Sequence, residues 1–120
     1  MQNPSGTRFL LNLHRCRGPI TVEEGFNLGI IVRILQGVGM KVISASFVPY
    51  SDGTVNQHVD LGESHYSGGT YLSRRHAALE LVICNETQDN RSKGREAADK
   101  IIAYFEPEET DVQILTWEAR

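Results

Sequence analysis

The sequence predicts an α+β fold, a two-layer α/β sandwich with a mainly antiparallel sheet and two helices packed on one face. Three observations carry this. Two segments, one early and one late, repeat apolar residues at helical spacing. Between them runs a series of short alternating or β-branched segments separated by turn residues. Each helical segment also has a strand-like segment outside it. The order becomes strand, helix, four strands, helix, strand, which suits hairpin-linked strands with the helices on one side.

Residues 1–6 read as a loose tail ahead of a single domain that spans 1–120. From Thr7 to Leu13 the residues Phe9, Leu11 and Leu13 share one face, the pattern of a strand. Thr21 followed by Glu24 is a capping box, so a helix is expected near 22–38. Phe26, Ile30, Ile34 and Val38 form its apolar stripe, with Ile31 and Leu35 beside them, and Gly37 and Gly39 end it. Lys41 to Val48 is a strand, and Ser51-Asp52-Gly53 is a turn. Thr54 to Leu61 alternates: Val55, Gln57, Val59 and Leu61 face one way, while Thr54, Asn56, His58 and Asp60 face the other. A short extended piece reaches Tyr71, and Ala77 to Cys84 is a further strand. Asn85 to Gly94 is polar and loop-like. Ser92 then caps a helix to Phe105, with Ala97, Ile101 and Phe105 inward and Glu96–Lys100 as an i,i+4 pair. Pro107 stops it, and Asp111 to Glu118 is the last strand, with Val112 and Ile114 inward.

The chain of 120 residues is 40% hydrophobic and 22% charged, an ordinary globular balance for one domain. At this size the surface share stays high, so a second copy would help to bury apolar area. A net charge of −3 gives no reason to expect nucleic acid or an anionic membrane as partner. Arg74-Arg75-His76, the tightest basic cluster, is too short for a binding patch. No stretch reaches the roughly 18 apolar residues of a membrane span, and the first residues lack a signal pattern. The expected location is the cytoplasm, where Cys16 and Cys84 are expected as free thiols. No CxxC or HExxH spacing is present, and no metal site is expected.

The residues alone offer weak chemistry. Ser64 and His65 are neighbours, so on a strand they point to opposite faces and cannot form a nucleophile–base pair. Gly68-Gly69 lacks the rest of a phosphate loop. Cys84 ends an apolar strand and could be an inert buried thiol.

Four segments add a resemblance. Leu61-Gly-Glu-Ser-His65, Arg8 to Cys16, Phe47 to Asn56, and Ala77 to Cys84 are similar, in order and spacing, to segments of one family. These are the small prokaryotic, pyruvoyl-dependent S-adenosylmethionine decarboxylases. The first segment resembles their Ala-Glu-Ser-His cleavage site. The interval from Ser64 to Cys84 also agrees.

The resemblance implies self-cleavage between Glu63 and Ser64, leaving a pyruvoyl group, the family's cofactor, where Ser64 stood. It implies catalytic roles for Glu63, Ser64, His65 and Cys84, with Cys84 as the acid that reprotonates the substrate's α-carbon. It implies substrate contacts from Phe47, Tyr50 and Asn56, with Tyr50 stacking on adenine. The implied protein is a cytoplasmic homodimeric lyase serving polyamine (spermidine) synthesis. Its substrate is a small amine, S-adenosylmethionine or an amino acid.

Three positions depart from the family. Gly69 stands where a processing histidine is expected. Ser73 replaces a ribose-binding glutamate, and Asn56 replaces a serine that assists processing. Two alternatives therefore stay open: a pyruvoyl-dependent ornithine or arginine decarboxylase, and an uncleaved, non-catalytic homologue that binds a ligand or partner.

Overall fold

The structure, a computed structural model, describes residues 5–85 and 89–119. The strands are β1 (Ser5–His14), β2 (Ser44–Pro49), β3 (Val55–Asp60), β4 (His65–Tyr71), β5 (His76–Cys84) and β6 (Glu109–Glu118). The helices are α1 (Leu28–Gly37) and α2 (Arg91–Phe105), with one turn of 3₁₀ helix at Ser73–Arg75. All six strands form one sheet in the order β2-β3-β4-β5-β1-β6, and every neighbouring pair is antiparallel. The expected two-layer sandwich is the observed one.

The helices cover one face. Phe9, Leu11 and Leu13 of β1, Val55 and Val59 of β3, Tyr66 of β4, and Leu79, Leu81 and Ile83 of β5 are buried there. They meet Ile31 and Leu35 of α1 and Ala97, Ile101 and Phe105 of α2. Gln57 belongs to the buried row and accepts the Tyr66 hydroxyl at 2.6 Å. Helix α2 lies close to the sheet because Gly94 has no side chain: a Cβ there would stand 2.7 Å from Ile83 Cγ1 and 2.9 Å from Phe9 Cε2. No helix among the described residues is long and apolar enough to cross a membrane.

Several expectations need correction. The capping box does not open the long helix. The Glu24 amide donates to Thr21 Oγ1, but the Glu24 carboxylate accepts from Ile20 N, and Gly25 at φ +97° ends this single turn. Helix α1 starts later, where the Asn27 side chain accepts from Gly29 N at 2.8 Å. Its buried line is Leu28, Ile31 and Leu35, while Ile30 of the expected stripe is exposed.

Strand β1 begins at Ser5, inside the expected tail, and residues 1–4 lie outside the described ones. Helix α2 starts within the expected loop. Its N-cap is Asn90, and Ser92 sits inside the first turn. Residues 86–88 of that loop are outside the described ones. Glu106, at φ 47°, closes the helix just before Pro107. Val112 and Ile114 are 42% and 43% exposed because β6 is an edge strand beyond the reach of both helices.

Candidate active site

A tight turn between β3 and β4 presents residues 61–64. Asp60 Oδ1 accepts from Gly62 N at 2.9 Å, Gly62 takes φ +81°, and Leu61 N donates to Ser64 O at 2.9 Å. The next strand pairs His65 with Val82, which brings Ser64 to the end of β5. There the backbone N–H of Cys84 donates to Ser64 Oγ at 3.0 Å. Ser64 is buried and Cys84 is partly buried.

Glu63 is fixed to the same strand end from the other side. Asn90 Nδ2 donates to Glu63 Oε1 at 3.1 Å and to Cys84 O at 3.0 Å. The Asn90 amide donates to Asn85 Oδ1 at 2.8 Å, and Asn85 N donates to Ser5 O. Glu63, Ser64 and Asn90 line a cavity of about 280 Å³ together with Met40, Lys41 and Leu61. A larger groove of about 650 Å³ crosses the open face of the sheet past Leu10, Ser67 and Glu80, away from Ser64.

His65 lies on that open face. Its ring stacks on His58 with centroids 5.8 Å apart, and its Nε2 is 4.0 Å from Glu80 Oε1. The adjacent Ser64 ends the turn just before β4 and is instead buried against the end of β5.

Tyr50 and Asn56 form a second group at the other end of the sheet. Asn56 Nδ2 donates to the Tyr50 hydroxyl at 3.4 Å, and Asn56 pairs with Gly69 across β3 and β4. A Cβ on Gly69 would stand 3.1 Å from both Asn56 Oδ1 and the Tyr71 hydroxyl. Those two side chains occupy the ground beside Gly69. The two groups are roughly 17 Å apart, five residues of β4 at about 3.3–3.4 Å each. Phe47 joins neither. It is paired with the inward Gln57 and makes an edge contact with Phe26 at 6.4 Å, on the helix side of the sheet.

Arg75 is a structural clamp rather than part of a binding patch. Arg74 and Arg75 take φ 66° and 50°, and the Arg75 guanidinium donates to Cys16 O, to Gly18 O and to both carboxylate oxygens of Glu24. Hydrogen bonding from Arg75 leads the causes that hold the Glu24 carboxyl below its usual range. Neither cysteine is in a disulfide. Cys16 is fully buried, and burial pushes its thiol up.

Among the described residues, His14, Glu109 and Asp111 bring ligand atoms within 4.8 Å of one another, a grouping that sequence spacing does not reveal. The trio stands at the opposite end of β1 from Cys84, and Arg15 already pairs with Glu109 at 3.0 Å.

Sequence reasoning named Glu63, Ser64 and Cys84, which the structure brings to one sheet end, and did not single out Asn90 or Tyr71, which stand beside the named residues. Asn90 lies in a polar run that reads as loop. Tyr71 lies two residues beyond Gly69 on β4 and so on the same face, a relation the strand period carries.

Fold and site together define a small antiparallel α/β sandwich with a serine, a carboxylate and a cysteine gathered at one sheet end. The S-adenosylmethionine decarboxylase family model matches residues 7–116, and the chain belongs to that family, whose named reaction is that of a carboxy-lyase. The structure is also similar to the crystal structure of the adenosylmethionine decarboxylase from Aquifex aeolicus. The TM-score is 0.71 at 20% identity over 96% of this chain and 91% of that one, a likeness of fold. No curated protein matches the chain.

Proposed function

We propose that this chain is a pyruvoyl-dependent decarboxylase of S-adenosylmethionine serving spermidine synthesis in the cytoplasm, matured by cleavage between Glu63 and Ser64. The supporting observation is the hydrogen bond from the Cys84 amide to Ser64 Oγ at 3.0 Å. It joins the junction to the strand end that bears the thiol, across a separation of 20 residues.

The residues present fit a group derived from Ser64. The serine is buried, its oxygen has a fixed donor, and it borders a cavity beside Glu63. In maturation Ser64 Oγ adds to the Glu63 carbonyl carbon, the amide C–N bond breaks and an ester replaces it. Loss of the Ser64 α-proton breaks the Cβ–O bond and frees the Glu63 carboxylate. Water then replaces nitrogen at Cα, releasing ammonia and leaving a ketone. That ketone, when present, supplies the electron sink for decarboxylation. The Cys84 thiol returns a proton to the substrate carbon.

A second copy completes the site. Tyr50 and Asn56 stand too far from Ser64 along the strand direction to reach it in one chain, whereas a two-fold axis through the open face exchanges the two sheet ends. Leu115, Trp117, Val48 and Tyr71 lie on that face and are 39–51% exposed. Tyr50, from the partner, stacks on the adenine, and Asn56 binds beside it.

The test is carbon dioxide release from S-adenosylmethionine labelled at the carboxyl carbon, with ornithine and arginine as parallel substrates. Release from S-adenosylmethionine alone supports this assignment. Release from ornithine or arginine alone moves it to the other amine, a shift that the neutral Ser73 favours. A second reading, an uncleaved homologue, draws on the ground beside Gly69, which Asn56 and Tyr71 occupy without a basic side chain. No release from any substrate supports it.

A further inference from the structure

We propose that Asn90 is a positioning residue for maturation, holding the Glu63 side chain so that the Glu63–Ser64 junction keeps its orientation. This role rests on the self-cleavage assignment above.

Asparagine at a helix N-cap ordinarily accepts a hydrogen bond from an amide of the first turn. The Asn90 side chain makes no such bond. Asp89 serves that turn instead, with its Oδ1 accepting from Arg91 N at 3.0 Å. The Asn90 side chain thus turns away from its own helix. Its nitrogen has two hydrogens, and both are used, one on Glu63 Oε1 at 3.1 Å and one on Cys84 O at 3.0 Å. Asn90 is only 8% exposed, so water competes little for these bonds.

The result is a two-sided grip. Cys84 holds Ser64 through its N–H, and it holds Glu63 through its carbonyl with Asn90 as the bridge. The residues on both sides of the bond that must rearrange are anchored to one rigid strand end. Such restraint favours attack of the hydroxyl on the adjacent carbonyl, and losing it is expected to slow cleavage by roughly 10²-fold. Asparagine suits the task because its amide donates at any pH and carries no charge toward Glu63.

The experiment follows cleavage of freshly synthesised full-length chain by intact mass, for the wild type and for Asn90→Ala and Asn90→Asp, with circular dichroism to confirm folding. Asn90→Ala is expected to cleave roughly 10²-fold more slowly while folded. Asn90→Asp supplies the reading that a purely structural role does not move. At pH 8 its carboxylate faces that of Glu63, and cleavage is slow. As pH falls the new carboxyl gains a proton and can donate again, so its rate relative to wild type rises. A wild type that cleaves while both variants match it at every pH overturns the Asn90 role alone. Variants that fail to fold make Asn90 a structural residue and also overturn it. A wild type that never cleaves removes the self-cleavage assignment itself and this role with it.

Discussion

The amide of Cys84 donates to Ser64 Oγ at 3.0 Å, so the backbone of the cysteine reaches the proposed cleavage junction. On the proposed function the N–H holds the junction for scission and the thiol acts in turnover, so the two contributions of Cys84 are separable by mutation.

Replacing Cys84 by alanine should therefore leave self-cleavage intact, since alanine keeps the amide. Decarboxylation should fall by about 10²–10⁴, the usual cost of losing a positioned acid. Cleavage on a denaturing gel and carbon dioxide release, measured on one preparation, test the separation. Loss of both together would contradict it.

Ser64→Ala should abolish cleavage and remove the hydrogen bond from the Cys84 N–H. Such a bond contributes about 0.5–1.5 kcal/mol net, so a modest fall in Tm is expected in a chain that still folds. A cleaved Ser64→Ala protein would contradict the chemistry.

Gly69→His should supply a base most effectively where room is made for it. Asn56 Oδ1 and the Tyr71 hydroxyl stand 3.1 Å from where its Cβ must lie. The double variant Gly69→His/Tyr71→Ala is expected to mature faster than wild type, and the single variant less so. Equal rates for all three chains would show that another step limits maturation.

Arg75→Ala should lower stability by about 2–3 kcal/mol, since charged hydrogen bonds to Cys16 O, Gly18 O and Glu24 disappear. Its pH dependence has a defined sign. Arg75 depresses the Glu24 carboxyl in the folded chain below the ordinary value of 4.5. The linked stability is present above that value and is lost as pH falls through the lower, folded one. Tm measured from neutral pH into acid should therefore drop less steeply in Arg75→Ala than in the wild type.

On the proposed shared site, in which Tyr50 and Asn56 of one copy serve Ser64 of the other, Leu115→Glu on the open face should give monomers in sedimentation and suppress decarboxylation. A fully active monomer would rule out the shared site.

The alternation of β3 was readable in the sequence because one face is covered by helices and the other is not. The rows Val55–Gln57–Val59 and Asn56–His58–Asp60 face as expected. Val112 and Ile114 misled because an edge strand keeps an apolar alternation without a helix above it. The start of α1 was misplaced because Thr21 and Glu24 make a capping turn whose continuation depends on Gly25. In the site, Ser64 and Cys84 could be matched by spacing. Asn90 could not, because its partners lie 27 and 6 residues away and only the fold brings them together.

The most direct test is the intact mass of the purified 120-residue chain. The account predicts two masses, one for residues 1–63 and one for residues 64–120 with no free amine at its start. A single mass matching the unbroken chain after prolonged incubation would contradict it.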